Sequence, residues 1–347
     1  MKILFTGKSD FKYNRIRVLL AGLAELQDVE LLYFPIISKT NFDKQAFMAM
    51  QNKADFIYIP PFRHIDVRFI KKFSTKPIVF DPLISKYLTK AVDYRHFWKA
   101  PIKYWLDKIP FDICDILLTD TQAHKGYFVR KFSIPSKKIG VLPIGVDTTR
   151  FQRKENDSSD NSLFRVGFYG SFVPLQGMPK IIEVANILKD ESDIIFDIIG
   201  TGYDYKQSIK LIKKYKLQHV HLLGWADYDD LSRLINKFDV CLGIFGDSEK
   251  ANAVIPNKVF HYASLGKCII SKNTPGINEL FTNNLNIVLS DNSPQKIAEQ
   301  IQRLKTNRSE ISRIGNNAHD LITSKYNHME IAKRFIAILE KYQLKHQ

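Results

Sequence analysis

Cysteine, long apolar runs and acidic residues are all scarce in this 347-residue chain, and the first two shortages each exclude a class of protein. Cys114, Cys241 and Cys268 are odd in number and far apart, which excludes a disulfide framework and a paired-cysteine metal knuckle. We therefore expect a reducing, cytoplasmic environment. No stretch approaches the roughly 20 apolar residues that cross a bilayer. The apolar part of residues 1–6 is shorter than a signal-peptide core of about 7–15 residues, so it predicts a buried first strand.

The shortage of acidic residues produces a formal net charge of +15, from 51 Lys and Arg against 36 Asp and Glu. Through residue 162 the counts are 27 and 17, a net charge of +10, so most of the excess lies in the first half. The excess is densest between residues 86 and 108, where six cations are interleaved with six aromatic rings. These are Lys86, Lys90, Arg95, Lys99, Lys103 and Lys108 with Tyr87, Tyr94, Phe97, Trp98, Tyr104 and Trp105.

Three interpretations of this basic aromatic segment stay open. On a helix, Arg95, Lys99 and Lys103 would share a face, and the rings are of the kind that settle at a lipid headgroup boundary, which favours an anionic membrane surface. Pro101 must then lie in a first turn or break the segment. A solvated basic surface with its rings turned into the core is the plain alternative. A nucleic-acid surface lacks any accompanying recognition motif, and we expect no nucleic-acid partner.

Short apolar runs alternate with helical patterns along the whole chain, which predicts an α/β fold with parallel, doubly wound sheets. The polar stretch 152–162 predicts a linker, which separates a domain at residues 1–162 from a second at 163–325. A final helical pattern at 329–342 predicts that residues 326–347 cross back to the first domain. The predicted strands are 2–6, 29–34, 55–59, 77–80, 116–119 and 139–142, then 165–169, 194–199, 220–223, 240–243 and 268–271.

Glycines follow predicted strands in both halves. Gly7 follows the first strand, Gly170 and Gly177 bracket the loop after 165–169, and Gly200 and Gly202 follow 194–199. At the carboxyl ends of parallel strands, glycine lets backbone amides approach a phosphate at a helix N-terminus. A tight turn also requires glycine, so a single site is weak evidence. The repetition indicates nucleotide binding.

Lys258 lies in the first turn of a helix that begins after Pro256. A cation gains nothing from the helix dipole at that end. A bound anion, such as a diphosphate, would resolve the misfit. An exposed lysine at a helix start is the alternative.

Several segments, in order, resemble the retaining glycosyltransferases of family 4, and the resemblance spans most of residues 115–342. The segments are DILLTD at 115–120, IGVLPIGVD at 139–147, FYGSFVPLQG at 168–177, IIGTG at 198–202, LGW at 223–225, and 260–270 with Glu279. The resemblance implies a GT-B fold, in which two Rossmann-like domains face each other across a cleft. It also implies a nucleotide-sugar donor held mainly by the second domain, an acceptor held by the first, and neither a metal nor a cofactor. Asp227 and Asp229 are accordingly interpreted as helix capping rather than a metal site.

Family contacts carried onto matching positions place the donor against one set of residues. These are Gly170, Ser171, Gln176, Gly177, Gly200, Gly202, Trp225, Asn257, Lys258, His261 and Glu279. The amides of Gly170 and Gly177, together with Lys258, are expected to stabilise the leaving diphosphate.

The chain departs from the family pattern at several of these positions. Ser171 and Gln176 replace the usual Arg and Lys, so Lys258 is assigned as the substitute catalytic cation. The usual pair of glutamates falls at Ala253 and His261, so the family's sugar and ribose contacts cannot be carried over, and Glu249 and Glu279 are the nearby carboxylates.

In the first domain, the family's histidine falls near Asp81, which is assigned a catalytic polar role toward the acceptor or sugar. Arg15, just after the Gly7 loop, is assigned as a cation that faces the cleft.

The sequence therefore predicts a retaining, hexosyltransferase-like enzyme of surface glycan or glycolipid synthesis. It would move a sugar from a nucleotide-sugar to a glycan or lipid-linked acceptor, in the cytoplasm or peripherally on the inner face of a membrane. One alternative is a catalytically weak partner subunit that binds nucleotide-sugar or membrane, because the glutamate pair and the loop cations are missing. A nucleotide-sugar epimerase of related architecture is the other alternative.

Overall fold

The computed structural model describes residues 1–8, 12–153 and 163–345, and its contacts divide the chain into two compact units. Unit 1 comprises Met1–Gly145 and Tyr326–Gln347, and unit 2 comprises Val146–Lys325. The strands in chain order are β1 Lys2–Gly7, β2 Glu30–Pro35, β3 Phe56–Ile59, β4 Ile78–Phe80, β5 Ile116–Thr119, β6 Ile139–Val141, β7 Phe164–Tyr169, β8 Ile194–Ile199, β9 Val220–Gly224, β10 Val240–Leu242, β11 Cys268–Lys272 and β12 Val288–Ser290.

The α-helices in chain order are α1 Asn14–Ala24, α2 Lys44–Asn52, α3 His64–Ile70, α4 Ala100–Ile113, α5 Gln122–Phe132, α6 Met178–Ile187, α7 Tyr205–Tyr215, α8 Leu231–Ile235, α9 Glu249–Ala253, α10 Asn257–Ser264, α11 Pro294–Thr306, α12 Arg308–Lys325 and α13 His328–Gln343. Polar side chains cap several of their N-termini by accepting a backbone N–H. Asp43, Thr121, Ser248, Ser293 and Asn327 do so for α2, α5, α9, α11 and α13.

Each unit contains one six-stranded, fully parallel sheet. The order is β2-β1-β3-β4-β5-β6 in unit 1 and β12-β11-β10-β7-β8-β9 in unit 2. Parallel strands need crossovers, and the helices supply them and cover the sheets. This confirms the predicted α/β class and the doubly wound sheets. In both sheets the direction of winding reverses next to the unit's first strand, between β1 and β3 and between β7 and β10.

The predicted strands are confirmed to within one residue at most ends, because buried runs of β-branched residues are unambiguous locally. Pro101 is the second residue of α4, so the alternative that placed it in a first turn is confirmed. The sequence did not predict α2, α3, α5, α9, α11, α12 or β12. These helices show one weakly apolar face and become stable by packing on a sheet.

The structure begins unit 2 at residue 146, whereas the sequence placed the boundary at 162/163. The reason is Phe151, which is buried, stacks on His261 with 3.8 Å between ring centroids, and accepts a hydrogen bond at its carbonyl from Ser264 Oγ at 2.9 Å. Of the predicted linker, residues 154–162 lie outside the described residues.

The last helix belongs to unit 1. Helix α13 packs so tightly on α1 that a Cβ on Gly22 would lie 2.0 Å from the carbonyl oxygen of His328. His328 Nε2 also lies 3.0 Å from Glu25 Oε1. These contacts place residues 326–345 with the first sheet.

Candidate functional site

The carboxyl edge of the unit 2 sheet holds a buried lysine where the strand order reverses. Gly170 directly follows β7 and Gly243 directly follows β10, the two strands between which the strand order reverses. The loops that leave these strands run in opposite directions and so leave a crevice between them. Lys258, on the first turn of α10, donates from Nζ to the carbonyl oxygen of Gly243 at 3.2 Å. Its Nζ also lies 3.4 Å from the centroid of the Phe168 ring. The helix and the two strand ends therefore focus one cation on the crevice.

Lys258 has no carboxylate partner within the described ranges. The residue is only 2% exposed, and burial lowers the pKa of its ammonium well below the ordinary 10.5. One carbonyl and one aromatic face compensate the charge, although an ammonium carries three N–H donors. The remaining donors can serve an anionic ligand, and the exposed-lysine alternative is wrong.

Gln176 joins Lys258 beside Gly170. A Cβ built on Gly170 would lie 3.3 Å from Lys258 Nζ and 3.6 Å from Gln176 Nε2. Gln176 is 7% exposed, and its Oε1 has no hydrogen-bond partner in the part of the chain that the structure describes. The fold thus brings three predicted donor-site residues into one cluster.

The glycines of the two neighbouring loops are required by the packing of these loops against each other. Gly200, with φ of +132°, would place a Cβ 2.0 Å from the carbonyl oxygen of Gly170. Gly202, with φ of +148°, would place one 2.8 Å from the nitrogen of Phe172. No L side chain adopts these angles readily, so glycine holds the loop after β8 directly on the loop after β7.

The expected role of two backbone amides is wrong in this structure. The Gly170 N–H donates to the Ile199 carbonyl at 3.0 Å, and the Gly177 N–H donates to the Pro174 carbonyl at 3.1 Å. Both donors are used within the unit, because Gly170 extends the β7–β8 ladder and Gly177 ends a 3₁₀ turn. The exposed Ser171 between them makes no N–H hydrogen bond to any described residue, so its amide is available as a donor.

His261 packs inside unit 2 rather than lining an open surface. It is 1% exposed, stacks on Phe151, and accepts or donates at Nδ1 against the Tyr169 hydroxyl. Burial lowers the pKa of its imidazole to about 3, so the ring is neutral. Its predicted donor contact stays a prediction.

Three further predicted donor residues lie on other elements of unit 2. Trp225 follows the end of β9 and is 70% exposed, which suits a stacking platform. Asn257 begins α10 and is half-buried, and Glu279 is exposed in the single turn 277–279. The predicted side-chain cap at Asp227 is wrong, because that residue precedes a 3₁₀ turn without making the bond.

The equivalent crevice in unit 1 is filled by a carboxylate of the chain. Asp66, fully buried on α3, accepts the Lys8 N–H at 3.0 Å and Arg63 Nε at 2.6 Å through Oδ2. A Cβ on Gly7, whose φ is +111°, would lie 3.3 Å from the same oxygen. Arg63 Nε and Lys39 Nζ, 2.6 Å and 3.6 Å from the Asp66 carboxylate, supply its counter-charges, so the two switch points differ in that only the charge of Lys258 lacks an oppositely charged partner among the described residues.

Arg15 and Asp81 come together, but they bind each other. Arg15 Nε lies 2.7 Å from Asp81 Oδ2, and Arg15 Nη1 donates at 2.7 Å to the carbonyls of Leu142 and Pro143. The Tyr58 hydroxyl donates to the same carboxylate oxygen at 3.0 Å. Both charged residues are 1% exposed, so the expectation of a cation that faces a cleft is wrong. Burial opposes the charge of Arg15, but Asp81, Tyr58 and Asp120 together outweigh it and raise the pKa of the guanidinium.

Asp81 still holds one oxygen, Oδ1, that has no partner among residues 1–8, 12–153 and 163–345. Its catalytic role stays a prediction, and the structure adds the role of counter-ion to Arg15.

An aspartate and histidine pair that sequence reasoning missed lies one strand further along. Asp120 directly follows β5, and its Oδ1 lies 2.6 Å from His124 Nδ1 on α5. Thr121 caps this helix and fixes the spacing of the pair. His124 Nε2 is buried and makes no hydrogen bond within the described structure. A carboxylate that orients a histidine is a common general-base arrangement, and the only signal was Asp-Thr-x-x-His after a strand.

The described residues contain no group of three or more His, Cys, Asp or Glu side chains placed to hold a metal ion.

Comparisons with known proteins agree with this architecture. Residues 149–321 match the family described as Glycosyl transferases group 1. An uncharacterized glycosyltransferase of Methanocaldococcus jannaschii is 22% identical over 255 residues, which cover 70% of this chain and 64% of the relative. The chitobiosyldiphosphodolichol beta-mannosyltransferase of Kluyveromyces lactis is 23% identical over 248 residues, covering 62% of this chain and 55% of the relative. The chain therefore matches less than two thirds of the length of either relative.

Among solved structures, Anabaena HepE in complex with UDP is similar with a TM-score of 0.74 and 15% identity, over 98% of this chain and all of HepE. This similarity shows the fold, which is of the GT-B type with two Rossmann-like units. Residues 149–321 therefore resemble a group 1 glycosyltransferase domain, and the chain has the GT-B fold.

Proposed function

We propose that the protein transfers a sugar from a nucleotide-sugar donor, held by unit 2, to an acceptor. The observation that carries the proposal is Lys258, a buried ammonium without a counter-ion at the switch point of the unit 2 sheet. The matching position in unit 1 is occupied by Asp66. A diphosphate would supply the missing negative charge in unit 2, whereas the charged groups at the unit 1 position already pair with one another. The group 1 domain and the UDP complex of HepE support this choice of ligand.

In this reaction, negative charge grows on the diphosphate as the sugar departs. Lys258, the Gln176 side chain and the Ser171 N–H are the donors available to stabilise it. Their effect is strong because the site is buried and the local dielectric constant is low. The diphosphate would in turn favour the charged form of Lys258, reversing the effect of burial on its pKa.

The base and sugar are assigned to the rest of the unit 2 edge. Trp225 offers an exposed indole on which a nucleobase can stack, and Asn257, His261 and Glu279 are the further donor-site candidates of this edge. Gly170, Gly177, Gly200 and Gly202 hold the loops in place. These roles are part of the proposal.

We assign the acceptor to unit 1, and a retaining, metal-independent mechanism, on the resemblance to family 4. The Kluyveromyces lactis relative is named as a chitobiosyldiphosphodolichol mannosyltransferase, which supports a glycan or lipid-linked acceptor. The free cysteines Cys114, Cys241 and Cys268 are all buried, which fits a reducing cytoplasmic compartment.

The test is a comparison of Lys258→Ala with the unaltered protein across a panel of nucleotide-sugars. We expect kcat to fall by about a hundredfold or more, because one oxyanion donor is worth roughly that much, while KM changes less. Lys206→Ala is the control, since Lys206 is an exposed cation of the same unit on α7. Equal kinetics for the Lys258 and Lys206 variants would overturn the assignment.

The same panel distinguishes the alternatives. Calorimetric binding of a nucleotide-sugar without turnover on any acceptor extract would favour a partner subunit. The absence of the usual glutamates, whose positions are Ala253 and His261, supports this alternative. Isomerisation of the donor without an acceptor would favour an epimerase. The anomeric configuration of the product, read by NMR, tests retention.

A further inference from the structure

Unit 1 presents an apolar stripe at the start of α4. Trp98, Ile102 and Trp105 are 72%, 67% and 57% exposed. Ile102 and Trp105 lie three residues apart on one face of α4, and Trp98 lies in the 3₁₀ turn Phe97–Lys99 that leads into this helix. Phe97 beside them is 66% exposed, whereas Tyr87 and Tyr104 of the same basic segment pack against the core. The segment therefore divides its rings between core and solvent, which the sequence did not resolve.

The stripe is held rigidly by the opposite face of α4. Asp107 is fully buried and accepts hydrogen bonds from Ser85 Oγ at 2.7 Å and from the Tyr87 N–H at 2.7 Å. Tyr104 stacks on Phe132 with 5.2 Å between centroids. Because the inner face is anchored, the exposed rings are a fixed feature of the surface.

Cations surround the stripe, and its acidic residues are withdrawn from the surface. Arg95 and Lys99 are exposed and Lys103 is half-buried, while Asp93 and Asp107 are both buried. An apolar patch rimmed with positive charge suits the boundary between lipid headgroups and acyl chains.

A groove of about 890 Å³ opens on unit 1 beside the far end of α4, and we call it the lysine groove. It is formed by the end of α4, the start of β5, the turn before β6 and the end of α13. Its charged lining comprises Asp112, Asp115, Lys125, Lys137, Lys138, Lys341 and Lys345.

The two carboxylates of the lysine groove are neutralised by lysines that do not line it. Asp112 binds Lys108, and Asp115 lies 3.1 Å from Lys71 Nζ. Two groove lysines use single carbonyls: Lys125 donates to Ile139 and Lys138 to the carbonyl of Asp112. The five positive charges of the groove therefore have no carboxylate left to compensate them.

Repulsion within the lysine groove is visible at Lys125. Burial and then the nearby positive charge of Lys341 lower the pKa of the Lys125 ammonium. Lys137, Lys341 and Lys345 form no ion pair with any described residue. A negatively charged group in the groove would relieve this repulsion.

The stripe and the lysine groove share one helix face. Trp105 and Asp112 are seven residues apart on α4, so they lie on the same side, about 10 Å from each other along the axis. Apolar rings and an uncompensated basic groove therefore adjoin on one surface of unit 1.

We propose that the stripe and the lysine groove together dock unit 1 on an anionic lipid bilayer, with the indole rings at the headgroup boundary and a lipid phosphate in the groove. Neither feature alone specifies a bilayer, but their combination matches its apolar interior and negative surface. No helix in the described ranges is long and apolar enough to cross a membrane. The proposal does not depend on the proposed function, and its test uses neither donor nor acceptor.

The test is flotation of the full chain with phosphatidylcholine vesicles, with or without phosphatidylglycerol, at low and high salt. A groove variant carries Lys137→Ala and Lys341→Ala, and a stripe variant carries Trp98→Ala and Trp105→Ala. The control carries Lys53→Ala and Lys72→Ala, which remove equal charge from exposed positions elsewhere on unit 1. All altered side chains are exposed, and thermal unfolding verifies that each variant folds.

We expect the unaltered protein to float with the anionic vesicles, and more weakly at high salt. Each groove lysine near the surface is worth about a fivefold change in partitioning, so the groove variant should bind about 25-fold more weakly at low salt. The stripe variant should lose the binding that persists at high salt. The control should stay within about fivefold of the unaltered protein.

Three outcomes would overturn the proposal. The first is no flotation of the unaltered protein, and the second is an equal loss in the control and groove variants, which would reduce the effect to net charge. The third is stabilisation by soluble glycerol phosphate without vesicle binding, which would make the groove a site for a free anion.

Discussion

Replacing Lys258 by methionine should make the ligand-free protein more stable while it removes the response to donor. Methionine has nearly the same length and reach but carries no charge. Lys258 is 2% exposed and lowers the stability of the free protein, because burial disfavours its ammonium. The substitution therefore separates the functional role of the residue from its structural role.

The expected direction of the stability change follows from the contacts of Lys258. Each unit by which burial lowers the pKa of a lysine costs about 1.4 kcal/mol of folding free energy. Methionine avoids this cost but gives up one hydrogen bond to Gly243, worth about 1 kcal/mol, and the contact with the Phe168 ring, worth about 0.5–2 kcal/mol. Neither contact carries a negative charge that would offset the burial of the ammonium, so we expect a net rise in the free energy of unfolding and in the Tm of the ligand-free protein.

The gain should depend on pH with a definite sign. The unfolded chain binds a proton on Lys258 near the ordinary pKa of 10.5, and the folded protein does so only at lower pH. Between these two values the unfolded state binds more protons, so the folded state loses stability as pH falls. The Tm advantage of Lys258→Met should therefore grow as pH falls from about 10.5, and become constant below the lowered pKa.

The assay is thermal unfolding with and without a nucleotide-sugar that binds the unaltered protein. A donor at a hundredfold excess over Kd stabilises by about 2.7 kcal/mol, and the variant should show little of that increase. Lys267→Met is the matched control, since Lys267 is also a lysine of unit 2 with lowered pKa, caused first by burial. Its Nζ binds the carbonyls of Asn236 at 2.7 Å and Phe238 at 2.9 Å, so its loss should destabilise the protein and leave the donor response intact.

A Lys258→Met protein that is less stable than the unaltered one, at every pH, would refute the view that this ammonium is uncompensated. An undiminished donor response would refute the placement of the diphosphate at the switch point.

Two other substitutions test the buried geometry. Asp81→Asn leaves Arg15 as an unpaired charge at 1% exposure and should cost about 3–5 kcal/mol in urea unfolding, whereas an Asp81 with a purely catalytic role would leave stability unchanged. Gly200→Ala places a Cβ 2.0 Å from the Gly170 carbonyl oxygen at φ of +132°, so it should lower Tm by several degrees and weaken donor binding. Gly126→Ala, in a helix where the Cβ would meet only the tip of a side chain at 3.1 Å, should leave Tm equal or slightly higher, and an equal loss in both would contradict the loop argument.

Much of the fold could be predicted because each buried strand is a short run of apolar residues that can be recognised from a few neighbouring positions. Strand β5 begins and ends where the sequence placed it. Helices such as α11 and α12 were missed, since their polar faces dominate the local composition and their stability comes from packing on the sheet.

Several residues of the candidate site could be predicted from the sequence, but which of them contact each other could not. Lys258 and Gly170 are 88 positions apart in the numbering, and the sequence grouped them only through the family resemblance. The direct bond between Arg15 and Asp81 was not foreseen, because nothing local indicates that a helix start meets the end of β4. Asp120 and His124, four residues apart, were close enough to have been found.

The sequence by itself determined the two doubly wound sheets, the excess of positive charge in the first half, and the glycines after the strands. These features depend on residue type and on the spacing of residues within a single strand or helix, which can be read without knowing the tertiary structure. The tertiary structure decided which of the positive charges lack partners. Asp66 occupies the switch point of unit 1, and Lys258 occupies that of unit 2 without a carboxylate partner among the described residues. Parallel strands bring residues that are distant in sequence to one edge of a sheet, so only the fold decides which charges pair. The shortage of acidic residues thus matters most at Lys258 and in the lysine groove, where no carboxylate is left to meet the cations.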